Sequence, residues 1–252
     1  MVQTMGVLKT QEANTKAPLD VTVVLPALNE ADIIEQTVTN ISDTLKAYGC
    51  TYEIIIAEDG STDGTDKKAS ELAQKHPYIR HLHGENRLGR GKALKNSFKQ
   101  SKGNVLIYMD VDLATDLKHL SELIDAVTKE GYQLATGSRM LSSSKVKRTF
   151  TRGFASKTYN FMVRAILGSK IKDHQCGFKS FQREPILPLL DEVEANHWFW
   201  DTETLVRAQR KGYKVKEIPV EWKSTRETKV KLFKDSLDMG WQVLVLWKHL
   251  TF

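Results

Sequence analysis

Apolar and polar positions alternate along the first half of this chain in a regular rhythm. A β-branched run at residues 21–25, Val-Thr-Val-Val-Leu, stops at Pro26 and reads as a buried strand. Ile33, Ile34, Val38, Ile41 and Leu45 then recur at helical spacing within residues 30–48. The pattern repeats with strands expected at 53–57, 79–82, 104–109 and 132–136, and helices at 63–75, 92–100 and 117–129. Strands alternating with helices imply βαβ units, hence an α/β fold of Rossmann-like type with a mostly parallel sheet flanked by helices. The second half is less regular. Residues 141–152 are basic and Ser-rich and suggest a mobile loop, 153–167 an amphipathic helix, 202–211 a helix, 215–220 a strand and 232–250 a long helix carrying Trp241 and Trp247. Residues 1–19 are polar and aperiodic, as expected of a flexible N-terminal arm. Neither an internal repeat nor a clean interdomain linker is visible.

Composition narrows the class. A chain of 252 residues with 40% apolar content can build one large α/β domain. Its net charge of +6 suits phosphates, nucleic acid or anionic lipid, and equally suits a solvated basic surface. Two cysteines, Cys50 and Cys176, lack CxxC spacing, which excludes a disulfide scaffold and points to a reducing compartment. Residues 1–20 contain no signal peptide, and no run of about eighteen apolar residues occurs, so any membrane contact is expected to be peripheral.

Ligands of an open parallel sheet bind beyond the C-terminal ends of its strands. Residues 26–30 follow the first strand, 58–61 the second and 110–112 the fourth, so acids and small residues from three strand ends converge on one crevice. Asp110-Val-Asp112 can hold a hard divalent cation, Mg²⁺ or Mn²⁺, with positions left open for phosphate oxygens; the same pair also suits a solvated strand-end turn. Asn86-Arg-Leu-Gly-Arg-Gly-Lys92 allows close backbone approach to a phosphate, although Ala93 stands where a Walker A loop needs Ser or Thr. His81 and His83 share one face of a strand, but without a third ligand they make no zinc site. Asn40-Ile-Ser42 fits a glycosylation sequon inside a helical pattern, and no Gly-x-Ser-x-Gly elbow supports a serine hydrolase.

Together these segments resemble glycosyltransferase family 2. The matching motifs are Val23-Val-Leu-Pro-Ala-Leu-Asn-Glu30, Ile56-Ala-Glu-Asp-Gly-Ser-Thr-Asp63, the 86–92 loop, Asp110–Asp112 and Gly137-Ser-Arg139. Asp173-His-Gln-Cys-Gly-Phe-Lys179, Trp198-Phe-Trp-Asp-Thr-Glu203 and Glu217-Ile-Pro-Val-Glu-Trp222 are similar to the dolichyl-phosphate glucosyltransferase and mannosyltransferase subgroup, the glucosyl branch above all, because Ala114-Thr115 follows the Asp pair. The resemblance covers residues 21–250. It implies a GT-A catalytic domain over 20–225 and an amphipathic, membrane-associated helix over 226–252. Pro26, Leu28, Glu30, Ala57 and Asp59 would line base and ribose. Asp110, Val111, Asp112 and Ala114 would hold the diphosphate and sugar, with Asp112 the direct metal ligand and Asp110 beside it. Arg139 and Arg226 would meet phosphates, the clamp being completed by Lys229 or Lys231.

The implied reaction is inverting transfer of a sugar onto a dolichyl or polyprenyl phosphate at the cytoplasmic membrane face, of the endoplasmic reticulum or the cell, feeding protein glycosylation. UDP-glucose is the first expected donor, then UDP-N-acetylglucosamine, then GDP-mannose. Expected partners are the nucleotide sugar, the lipid phosphate and the membrane surface, and no nucleic acid. A phosphate acceptor needs little general-base help, whereas a hydroxyl acceptor needs a carboxylate within reach. Asp201 sits where related enzymes carry that base, and equally suits an N-cap for a helix starting at Thr202. On residues 158–167, Tyr159, Met162, Val163, Ile166 and Leu167 share a face suited either to a membrane interface or to core packing; Trp241, Val245, Leu246 and Trp247 do the same on the last helix. Two other readings compete: a nucleotide-sugar-binding regulator, opposed by the intact Asp110, Asp112 and Arg139, and a nucleotidyltransferase, opposed by Pro26-Ala-Leu-Asn-Glu30 in place of a Gly-rich basic motif.

Overall fold

A computed structural model describes residues 19–223 and 232–251. The expected arm over 1–18 and the candidate phosphate ligands Arg226, Lys229 and Lys231 lie outside the described residues. Strand β1 (Leu19–Ala27) pairs in parallel with β2 (Tyr52–Asp59) on one side and β4 (Gly103–Met109) on the other, and β3 (Ile79–Gly84) extends the sheet beyond β2. These are the strands that the β-branched runs announce. In β1, β2 and β4 the side chains alternate between two buried faces, as both-sided burial of a parallel sheet requires, while the edge strand β3 is only partly buried.

The sheet continues with a strand that the sequence did not announce. Strand β7 (Phe178–Gln182) runs antiparallel between β4 and β5 (Leu134–Ser138), and β8 (Val215–Pro219) closes the order β3-β2-β1-β4-β7-β5-β8. The loop expected over 141–152 contains a short strand, β6 (Lys145–Lys147), which pairs with β9 (Glu221–Lys223). It ends in the first turn of helix α5 (Phe150–Leu167), so the helix starts three residues earlier than its periodicity implied.

Helices cover both faces. On one, α1 (Ile34–Tyr48), α2 (Thr65–Lys75) and α4 (Leu120–Thr128) pack Ile41, Leu45, Leu72 and Leu123 against Val23, Ile54, Ile56 and Ile107. On the other, α3 (Arg90–Gln100), α6 (Arg183–Glu192) and α7 (Trp200–Arg210) pack Phe98, Leu189 and Trp200 against Ile55, Leu106, Tyr108 and Phe181. A third cluster joins α5, α7 and α8 (Leu232–Thr251) through Val163, Leu167, Val206, Val243 and Leu246. Tyr159, Met162 and Ile166 also pack against it, so of the two readings open for this α5 face, membrane interface or core packing, the structure shows core packing, and Leu246 is buried with it. The apolar residues that do face solvent are Phe150, Phe154 and Phe161 on α5 and Leu237, Trp241, Leu244, Val245 and Trp247 on α8.

Phe181 is fully buried, with its ring edge-on to Phe98 and Trp200 and stacked on Tyr108. Truncating it leaves a cavity among rings that cannot collapse. Phe181→Ala is expected to cost about 3–5 kcal/mol, measured by urea unfolding. Phe154→Ser, on the exposed face of α5, is expected to stay within about 0.5 kcal/mol of the wild type.

Candidate active site

The loops that leave β1 and β2 are stitched to each other. Asn29, at a left-handed φ of 53°, donates its N–H to Ser61 Oγ at 3.0 Å and accepts the Thr62 N–H at 2.8 Å. Glu30 N–H reaches Thr65 Oγ1 at 2.8 Å, and Ala31 N–H reaches Asp63 at 3.0 Å. This places Pro26, Leu28 and Glu30 beside the end of β2, where Pro26 pairs in register with Ala57. Asp59 is buried, and its carboxylate accepts the N–H groups of Leu88 and Gly89 at 2.6 and 2.9 Å. Here its visible work is to pin the 86–92 loop onto the sheet.

After β4 the chain turns sharply. Leu113 takes a left-handed φ of 48°, a conformation that costs a bulky residue roughly 1–2 kcal/mol. It lets Leu113 N–H close on the Asp110 carbonyl at 3.1 Å and Ala114 N–H reach Asp112 Oδ1 at 3.0 Å. Val111 is buried, its carbonyl held by Thr37 Oγ1 at 2.7 Å. The Asp110 side chain stays 44% exposed. It rests on Gly177, where any Cβ would overlap the carboxylate, while its own N–H bonds the Gly177 carbonyl at 3.0 Å. A shallow cleft lined by Asp110, Leu113, Ala114, Thr115 and Gly177 opens there. Lys223 donates its N–H to the Ala114 carbonyl at 2.9 Å, beside the Asp pair.

Arg90, which the sequence pattern did not single out, links this turn to the interior. Its guanidinium bridges Asp110 at 2.8 Å and Asp201 at 2.7 Å, and lies over the rings of Tyr108 and Trp198. Asp201 is not an N-cap: helix α7 begins at Trp200, and the Asp201 side chain, 2% exposed, points into the protein. Besides Arg90 it holds Lys179 at 2.8 Å and the Tyr108 hydroxyl. Burial lifts the Asp201 carboxyl to about 6, against the pull of Arg90. The same burial draws the Lys179 ammonium down to about 7. A chain of alternating charge, Asp110–Arg90–Asp201–Lys179, therefore runs from the cleft to the core.

Arg139 is engaged elsewhere. Its guanidinium forks onto Asp173 at 2.7 and 2.9 Å, its N–H adds a third bond at 2.9 Å, and its face lies 5.6 Å from the Trp222 ring centre. Burial alone would neutralise both groups; their mutual attraction instead holds Asp173 well below the usual carboxylate range and keeps Arg139 charged. In this structure the fork is turned to Asp173. Cys176 is buried and its thiol is pushed up to about 11, which makes it inert.

The model of the family described as "Glycosyl transferase family 2" matches residues 22–188. The chain belongs to that family. Among relatives of glycosyl transferase family 2 type, the glycosyltransferase AglD of Haloferax volcanii is 49% identical over 241 residues, 95% of this chain, and this chain spans 39% of AglD's length. The dolichyl-phosphate β-glucosyltransferase of Saccharomyces cerevisiae is 29% identical, over 89% of this chain and 73% of its own. Glucosyl-3-phosphoglycerate synthase from Mycobacterium tuberculosis, solved with Mn²⁺, UDP and phosphoglyceric acid, shares the GT-A fold at a TM-score of 0.64 and 22% identity, covering 90% of this chain and 77% of that one.

Arg90 and Lys179, the cations that meet Asp110 and Asp201, are not among the residues that the sequence pattern singles out: Lys179 lies in a motif that shows no partner for it, and Arg90 in a glycine-rich loop. The signal available for Arg90 was a lone arginine at a helix N-terminus, where the helix dipole disfavours positive charge.

His174 supports the same region. It is fully buried, its ring bonded to Asn160 at 2.8 Å and to Ser169 at 2.8 Å, and burial depresses it to about 3. The folded state therefore binds this proton less readily than the unfolded chain, so stability falls as pH drops below about 6.5. Between pH 7 and pH 5 His174 is expected to remove about 2 kcal/mol. In His174→Gln that increment is expected to vanish, so the stability gap between variant and wild type narrows by the same amount, as read by urea unfolding at the two pH values.

Proposed function

We propose that this chain transfers a hexose, glucose from UDP-glucose in the first instance, onto the phosphate of a dolichyl-type polyprenol at a membrane surface, with inversion at the anomeric carbon. The named relatives motivate the substrate class. One observation carries the choice of acceptor: Asp201, the carboxylate from which a hydroxyl acceptor would need its base, is sealed beneath Arg90. A phosphate monoester is already mostly dianionic at neutral pH, its second pKa being about 6, and attacks without such a base. Asp201 then acts as a positioning residue for Arg90.

The oxygen-only donors of Asp112 and the exposed Asp110, on a turn held open by Leu113, fit a hard cation, Mg²⁺ or Mn²⁺. Bound there, such an ion neutralises charge on the departing nucleoside diphosphate. Pro26, Leu28, Glu30, Ala57 and Asp59 would line the base and ribose, and Val111 and Ala114 would flank the diphosphate and sugar. Arg90 would hold Asp110 in place and offer positive charge beside it. Arg139 would act by bracing Asp173 under this floor, a supporting role and not a phosphate contact. Arg226, with Lys229 or Lys231, follows Lys223 in the sequence and would clamp the acceptor phosphate.

The membrane contact would be made by the aromatic face of the α5–α8 pair. Phe150, Phe154, Phe161 and Trp241 are 87%, 64%, 69% and 65% exposed, and Lys157, Arg164 and Lys248 are exposed beside them. Rings flanked by cations suit a helix lying in a lipid interface. Helix α5 meets the Asp201 region through its inner face, where Tyr159 shares a 2.7 Å hydrogen bond with Thr202. Among the described residues, no helix is long and apolar enough to cross a membrane.

The test is to incubate the chain with dolichyl phosphate, Mn²⁺ or Mg²⁺ and a panel of labelled nucleotide sugars, and to follow the label. Transfer into the organic phase from UDP-glucose is expected, falling at least ~100-fold in Asp112→Ala. Label that stays aqueous with every donor, or an Asp112→Ala variant of undiminished rate, contradicts the reading. In vesicle flotation, the combined Phe154→Ser, Phe161→Ser, Trp241→Ser variant is expected to lose about tenfold or more of its binding while its unfolding midpoint stays put.

A further inference from the structure

Two histidines on an edge strand lacked a third ligand in the sequence; strand pairing supplies it. In the parallel register of β2 and β3, Ile56 lies opposite His81 and Glu58 opposite His83, so Glu58 and both histidines project from one face of the sheet. Glu58 Oε2 is 2.6 Å from His83 Nδ1, and one ligand atom from each of Glu58, His81 and His83 lies within 4.8 Å of the others. Among the described residues, no other group of three or more His, Cys, Asp or Glu side chains gathers this closely.

Two further facts mark the cluster as more than a surface ion pair. His81 Nε2 is buried with no hydrogen-bond partner, an arrangement that is costly for a polar ring nitrogen. The Glu58 side chain is fully buried, its other oxygen taken by the Ser61 N–H, whereas His83 is 47% exposed and gives the cluster an entrance. Asp66, in the first turn of α2, adds negative potential at His81.

We infer that Glu58, His81 and His83 form a binding site for a borderline divalent transition metal, Zn²⁺ above all. Two imidazoles and one carboxylate select such ions over Mg²⁺ or Mn²⁺. Bonds of about 2.0–2.2 Å in tetrahedral array separate the donors by roughly 3.3–3.5 Å. The present Glu58–His83 contact opens by less than about 1 Å to meet this, a rotation that the half-exposed His83 can make. The ion takes the place of the proton shared by Glu58 and His83 and gives His81 Nε2 its partner. A fourth position faces solvent on the His83 side. The site also bears on the loop that carries Arg90. Glu58 directly precedes Asp59, which holds Leu88 and Gly89, so a metal that fixes the end of β2 slows the opening of that loop.

The experiment uses the chain freed of any polyhistidine tag and titrated with Zn²⁺ against a chromophoric chelator. The expected result is one tight Zn²⁺ per chain, with affinity falling at least ~10-fold in His83→Ala and in His81→Asn, and further in the double variant. Asp112→Ala is expected to bind this Zn²⁺ as the wild type does, which separates this site from the proposed donor site. Metal-free thermal unfolding checks that each variant is folded, and His83→Ala, at a half-exposed position, guards against misfolding as the cause. Zn²⁺, but not Mg²⁺, is expected to raise the unfolding midpoint of the wild type and to slow hydrogen exchange at the Leu88 and Gly89 amides. Wild-type affinity in both histidine variants, loss confined to Asp112→Ala, or no binding at micromolar Zn²⁺ overturns the assignment.

Discussion

The double salt bridge of Arg90 ties the fourth strand, the third helix and the seventh helix into one polar geometry, alongside the Tyr108, Phe98 and Trp200 rings that pack the same elements together. Asp110 ends the fourth strand, Arg90 opens the third helix and Asp201 sits in the first turn of the seventh. A cation at a helix N-terminus works against the helix dipole. Two carboxylates and two aromatic faces hold it there, not any preference of the helix. Buried ion pairs of this kind contribute little net stability, because desolvation offsets most of the attraction. Their value lies in leaving few alternatives: Arg90, Lys179 and Asp201 cannot be rearranged without stranding a charge in the core.

That network explains why the parts of the molecule differed in how plainly the sequence announced them. Strands β1, β2 and β4 are buried on both faces, so each shows as an apolar run, and the helices between them show an apolar stripe. Strand β7 lies just as deep but reads Phe-Lys-Ser-Phe-Gln, because Lys179 fills an interior position to meet Asp201 and Tyr108. A buried lysine erases the hydrophobic signal of the strand that carries it. Helix α6 was hidden by Pro185 and Pro188, which discourage a helical reading although Ile186, Leu189 and Leu190 form its buried stripe. On α5 the periodicity shows the stripe but not its partner: Tyr159, Val163 and Leu167 find α7 and α8, leaving a second, aromatic stripe outside.

The candidate site divides in the same way. Its acids stand at strand ends, where open α/β sheets present ligands, and strand ends are legible. Its cations come from elements far away in sequence, and only the fold shows which acid each one meets. Arg139 is the instructive case. A motif suggests a phosphate ligand, and in the structure three bonds to Asp173 turn its fork inward, against Trp222.

Glu58 and Asp59 show how one strand end can serve two sites. Successive side chains of a strand point to opposite faces. Asp59 follows Ile55 and Ala57 to the face covered by α3 and grips the loop that carries Arg90. Glu58 follows Ile54 and Ile56 to the other face, where the sheet edge offers His81 and His83. Because the two carboxylates are covalent neighbours on a buried strand, neither can shift without moving the other. An ion held by Glu58 and the two histidines on one face would therefore constrain the loop gripped by Asp59 on the other, although the two places share no side chain. The coupling needs no rearrangement of the fold, since the rigid backbone of a parallel sheet transmits it.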